Sequence, residues 1–175
     1  DLAAYWSVND NLNIRGNFSY TKAELTEGVP SLIRTISPPG FGTVFEDGEP
    51  GDRLPGSPEK QLSIFASYTY ELTGGNTIVV DGGYAWKDDV LSLVGARGDS
   101  LTLDSYGRAN VSVAYMTDNW SVTGYVDNLF DEYSESSVFN TPLFNQTVEG
   151  ANVRYYRTNV LAPRSIGVRF RFTYE

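Results

Sequence analysis

The sequence predicts an all-β fold: an antiparallel, up-and-down sheet of about seven strands that forms part of a transmembrane β-barrel wall. Three observations predict it. Apolar residues alternate with polar ones over many segments, and the apolar series carries no charge. Short turns and long loops follow one another in strict alternation, as in outer-membrane barrels. Aromatic residues gather at the two ends of the apolar face, where side chains meet the membrane–water interfaces.

The elements follow in order. Leu2, Ala4, Trp6 and Val8 end a first strand, and Asn9-Asp10-Asn11 turns the chain. The second strand sends Leu12, Ile14, Gly16, Phe18 and Tyr20 outward. A long loop, about Lys22 to Lys60, holds most of the prolines. The third strand presents Leu62, Ile64, Ala66, Tyr68 and Tyr70, and Thr73-Gly74-Gly75-Asn76 is a hairpin turn. Ile78, Val80, Gly82, Tyr84 and Trp86 form the outward series of the fourth. After a loop from about Lys87 to Asp104, the fifth strand shows Ala109, Val111, Val113 and Tyr115. Thr117-Asp118-Asn119 turns into the sixth, with Trp120, Val122, Gly124 and Val126 outward. A third loop spans about Phe130 to Ala162. The seventh strand shows Ile166, Val168, Phe170, Phe172 and Tyr174 on one face and Ser165, Gly167, Arg169, Arg171 and Thr173 on the other. With the short turns on the periplasmic side, Trp6, Tyr70, Tyr115, Trp120 and Phe172 fall at one interface, and Tyr20, Tyr84 and Trp86 at the other.

Composition narrows the chemistry. The 175 residues suit one domain. Cysteine and histidine are absent, which removes disulfides, thiolate metal sites and a Ser-His-Asp triad. The net charge of −9 argues against nucleic acid as a partner. No apolar run approaches the roughly 20 residues of a membrane helix. The mean hydropathy of −0.29 does not weigh against a barrel, in which only alternate residues meet lipid. A soluble β-sandwich with one greasy face has the same periodicity, but loop alternation and the two girdles favour the membrane. Seven strands cannot close a barrel, because an open sheet in lipid leaves backbone groups unpaired. The chain begins within the strand pattern at Asp1-Leu2-Ala3 and is expected to be a fragment of a longer protein.

Two stretches near the end, GYVDNLFDEY (Gly124–Tyr133) and YYRTNVLAPRSIGVRFRFTYE (Tyr155–Glu175), carry a family pattern. An NLFD-x-Y corner, Asn128 to Tyr133, precedes an APR-x-x-G-V entry, Ala162 to Val168. This pairing resembles the C-terminus of TonB-dependent outer-membrane receptors. RLPGSPEKQ (Arg53–Gln61) looks like the family more loosely, and Glu175 departs from its habit of ending on an aromatic residue. The resemblance implies a plugged barrel of about 22 strands, of which residues 1–175 supply the C-terminal third. It implies active uptake of a siderophore, vitamin or oligosaccharide in the bacterial outer membrane. Expected partners are membrane lipid, an N-terminal plug with the remaining strands, an inner-membrane energy-coupling protein, and the small-molecule or oligosaccharide ligand. It implies no enzyme activity and no cofactor. A passive porin and, more distantly, a barrel enzyme are the neighbouring readings.

Candidate site residues fall into three sets. Arg15, Asp81, Arg108, Asp127, Arg169 and Arg171 face the lumen, either as polar wall against plug and water or as ligand contacts. Phe41, Phe45, Phe139, Phe144, Tyr155 and Tyr156 lie in the long loops, where they either stack on a sugar or aromatic ligand or pack the loops together. Glu46, Asp47, Glu49 and Asp52 crowd four carboxylates into seven residues, a solvated acidic loop or a weak calcium candidate.

Overall fold

The period-two alternation builds one antiparallel sheet. The computed structural model describes residues 1–35, 44–139, 144–148 and 151–174. In chain order the strands are β1 (Leu2–Ser7), β2 (Leu12–Tyr20), β3 (Val29–Arg34), β4 (Phe45–Gly48) and β5 (Lys60–Glu71). There follow β6 (Thr77–Lys87), β7 (Val90–Leu91), β8 (Thr102–Leu103), β9 (Tyr106–Met116) and β10 (Trp120–Asp127). The last are β11 (Glu135–Val138), β12 (Phe144–Val148), β13 (Ala151–Tyr155), β14 (Thr158–Val160) and β15 (Ser165–Phe172). Seven of them form the wall, in the order β1-β2-β5-β6-β9-β10-β15, and these are the seven strands the sequence predicts. Each wall strand neighbours the next in sequence, which is up-and-down connectivity. The barrel is not closed: β1 and β15 are open edges.

Register carries the face assignment across the sheet. Leu2 lies opposite Phe18, Phe18 opposite Leu62, and Leu62 opposite Trp86. Further along, Val80 pairs with Val113, Val113 with Gly124, and Gly124 with Val168. Apolar positions therefore meet apolar positions on all seven strands. A slip of one residue in any pair would turn that strand's apolar set to the other face. The short turns hold this register. The Asn9 side chain accepts from the amides of Asn11 and Leu12, both at 2.9 Å. Gly74 and Gly75 take φ of 91° and 82°, a left-handed turn that side-chain-bearing residues resist.

The apolar face is uncovered. Val168, Phe170, Phe172, Val113, Ile64 and Trp6 are all exposed on it. Tyr115 and Trp120 rings lie 5.5 Å apart and Trp120 and Phe170 rings 6.1 Å apart, a girdle at the short-turn end. A soluble sandwich would bury this face under a second sheet, and the described residues supply none. The buried core lies at the other end, where Ile33, Val90, Leu91 and Leu103 meet between the long loops.

Those loops are more ordered than the sequence suggested. Hairpin β3–β4 sits in the first, β7–β8 in the second, and β11–β14 with β12–β13 in the third. The short runs lie among prolines and glycines, below the length at which alternation stands out. The expected loop boundaries also shift, since Lys60 begins β5 and Lys87 ends β6.

Candidate functional site

The polar face of the wall holds the predicted lumen residues, and the structure sorts them by depth. A shallow concavity of about 280 Å³ at mid-wall gathers Asp81, Asp127 and Arg169 with Asn110, Ser112 and Thr123. Two rings frame it. Phe65 lies over Gly83, where an added Cβ would sit 3.5 Å from the ring. Tyr125 lies over Gly167, where a Cβ would come within 2.5 Å of the ring. A side chain at 167 would have to displace that ring. Each ring carries a cation: the Arg15 guanidinium stands 4.2 Å from the Phe65 centroid, and that of Arg169 5.6 Å from Tyr125. Arg15 thus lies beyond Phe65, outside the concavity. Arg171 pairs across from Ser121 towards the short-turn end, apart from the others. Arg108 stands opposite Ala85, nearer the long loops.

Three arginines clamp the first two long loops together. Arg34 donates to Asp99 at 2.6 Å, with the Asp99 carboxylate fully buried. Arg53 reaches Asp89 at 2.7 Å and Glu59 at 3.8 Å. Arg97 grips Asp52 through both terminal nitrogens, at 2.5 and 3.0 Å, a two-pronged contact suited to the guanidinium fork. The Arg97 bonds hold the Asp52 carboxyl below its ordinary pKa, aided by the Glu49 amide, and Arg97 is raised in turn.

The acidic cluster is gathered around the Arg97 guanidinium. Asp52 and Glu46 point to Arg97, the latter at 3.6 Å. Asp47 accepts from the Ser31 amide at 2.8 Å. Among the described residues no group of three carboxylates is placed to hold a metal ion. The geometry therefore supports loop clamping by Asp52 and Glu46, and gives the calcium candidates Glu46, Asp47, Glu49 and Asp52 no shared site.

The loop aromatics divide. Tyr156 donates its hydroxyl to the Asp99 carbonyl at 3.1 Å, tying the third loop to the second, so it packs loops together. Phe45 and Phe139 are exposed, with the Arg157 guanidinium 5.8 Å from the Phe139 centroid. Phe144 and Tyr155 are backbone partners across β12–β13. Phe41 lies outside the described residues.

The NLFD-x-Y corner has a physical explanation. Asn128 is buried, with 1% of its surface exposed, and takes φ of 51°. Its amide group donates to the carbonyls of Glu132 and Ala162 at 2.9 and 3.0 Å, and its oxygen accepts from the Glu132 amide at 2.9 Å. Asparagine suits both the left-handed backbone and the bonding. Asp131 caps the entry of the last strand by accepting from the Arg164 amide at 2.8 Å. The two halves of the motif are thus bonded to each other across the third loop.

Sequence reasoning missed Lys87, Arg97, Asp99, Arg53 and Asp89. All lie at strand ends or in loops, where periodicity assigns no face. Proximity of arginines to carboxylates in two different loops is a tertiary fact, without a signal in either segment alone.

A family model described as TonB dependent receptor-like, beta-barrel matches residues 1–129. It covers the first six wall strands and stops at Leu129, so most of the C-terminal motif pair lies beyond it. No curated protein and no solved structure matches the chain.

Proposed function

The chain belongs to the TonB-dependent receptor-like β-barrel family, and from that premise we propose that it forms lumen wall and outer loops of a receptor for active uptake of a scarce nutrient. Barrels of this family are bacterial outer-membrane proteins concerned with reception and transport. The finer reading has the ligand, a siderophore, vitamin or oligosaccharide, enter between the long loops and move along the polar wall. An inner-membrane complex acting through a plug domain would supply the energy, and further strands would cover the open edges of β1 and β15, which lipid cannot satisfy.

One observation carries the reading. The sheet separates an exposed, uncharged apolar face from a polar face bearing Arg15, Asp81, Arg108, Asp127, Arg169 and Arg171, and ends on one side in loops that are folded and clamped to one another. A passive pore needs the two faces but not the clamped cap.

The test is nutritional. A strain lacking the receptor is grown with limiting iron–siderophore, vitamin or oligosaccharide, and one of these should fail to support growth. Uptake of that nutrient in the parent strain should drop to the deletion level when the inner-membrane proton gradient is dissipated. Uptake that survives dissipation would replace active transport with passive diffusion.

A further inference from the structure

Aspartate is among the residues least often fully buried, and then it is paired. Asp99, in the second long loop between β7 and β8, is 1% exposed and its carboxylate is fully buried. Its bonding groups reach two other loops. The carboxylate accepts from the Arg34 guanidinium at 2.6 Å, and the Asp99 amide donates to the Arg34 carbonyl at 2.9 Å, both at the end of β3 in the first loop. The Asp99 carbonyl accepts from the Tyr156 hydroxyl at 3.1 Å, between β13 and β14 in the third loop. One residue of the second loop is thus bonded to the first and to the third. The backbone around it is shaped for this. Gly98 takes φ of 66°, and a Cβ there would collide with the Arg34 carbonyl. At Gly95, with φ of 67°, a Cβ would stand 3.2 Å from the buried Ile33 side chain. The second loop therefore lies close against Ile33 and Arg34, an approach that two left-handed glycines permit. The other clamps differ. Arg53 with Asp89 and Arg97 with Asp52 join the first loop to the second, and all four side chains keep some contact with solvent.

Burial makes the two links depend on each other. A charge withdrawn from water is costly unless a partner offsets it. If the first loop lifts away, Arg34 leaves with it, and the carboxylate loses its guanidinium while Tyr156 is still seated on the same residue. The less costly state is one in which the third loop lifts as well and water reaches Asp99. If the third loop lifts first, water enters beside the Arg34–Asp99 pair, and an ion pair in water is worth less than a shielded one. We propose that Asp99 is a three-way lock, a conformational device through which the three long loops part together and not one at a time. Each loop's opening then carries a coupling free energy from the other two. The device belongs to the cap itself and does not depend on which nutrient the barrel carries.

The experiment is hydrogen exchange at pH 7 on the complete receptor purified from outer membranes. Protection is read separately for β3 in the first loop, β7 and β8 in the second, β11 and β14 in the third, and the wall strands β5 and β6. Tyr156→Phe removes one hydroxyl from the third loop. It should lower protection about threefold or more, the scale of one hydrogen bond, in β11 and β14 and also in β3 across the cap. Asp99→Asn keeps the size of the side chain and the backbone carbonyl that Tyr156 meets, but loses the charge that holds Arg34. It should lower protection in all three loops, and in that background the effect of Tyr156→Phe on β3 should shrink. Protection of β5 and β6 should stay at the wild-type level in every variant, which shows that the barrel is folded. An effect of Tyr156→Phe confined to the third loop, or absent from both loops, overturns the lock. So does an effect on β3 that persists undiminished in the Asp99→Asn background. Should Asp99→Asn fold poorly, Tyr156→Phe alone still decides, because loops that open independently give no loss in β3.

Discussion

Asn128 shows how much one side chain decides. It is buried in a left-handed backbone conformation and makes three side-chain hydrogen bonds that hold the turn after β10 against the entry to β15. Asn128→Ala strands two carbonyls and an amide, at about 1–3 kcal/mol for each group left unsatisfied in the interior. The expected loss is at least about 2 kcal/mol, read as a lowered urea midpoint of the refolded receptor with an unchanged slope. Asn128→Gly should recover only the backbone part of that loss. The motif was legible in the sequence as a pattern. Its bonding was not, because Ala162 lies 34 residues away and no local signal reports such a contact.

At the scale of elements, the wall strands were legible and the loops were not, for one reason. A strand of 8 to 12 residues, as in β5, β6, β9 and β10, repeats its alternation often enough to fix a phase. The two residues of β7 or the three of β14 do not. The loop cap is held instead by charge pairs and by Ile33, Val90, Leu91 and Leu103. Its acid sensitivity follows from Asp52. A carboxyl whose folded pKa is lowered contributes stability that is full above the ordinary value of about 3.9 and fades as pH falls through the lower folded value. Amides near Asp52 and Arg97 should therefore lose protection, measured against the intrinsic exchange rate at each pH, below about pH 4 relative to pH 7, and lose more of it than wall amides. Arg97→Gln should bring that lower protection to pH 7 and flatten its pH dependence. Equal protection at both pH values in the wild type would show that the clamp adds nothing to loop order.

For the whole molecule, sidedness and the two solvents of the sheet are the facts that matter. Loop residues are expected outside the cell and the short turns in the periplasm. These 175 residues hold no cysteine, so none of them competes with a single replacement for the label. Gly48 is a poor labelling site, since a side chain there would meet Leu25 and Leu32 at 2.8 Å, whereas Glu49 and Asp118 are exposed. Glu49→Cys should react with an impermeant maleimide on intact cells, and Asp118→Cys only after the outer membrane is opened. The reverse pattern would invert the barrel. The division between lipid and water is tested by a nitroxide scan along β10, one label at a time from Trp120 to Asp127 in the membrane-embedded receptor. Labels at Trp120, Val122, Gly124 and Val126 should collide with oxygen, which concentrates in lipid, and those at Ser121, Thr123, Tyr125 and Asp127 should not. That two-residue alternation is the predicted result. Uniform oxygen accessibility along the strand, or alternation in the opposite phase, would contradict a wall with its apolar face in the membrane.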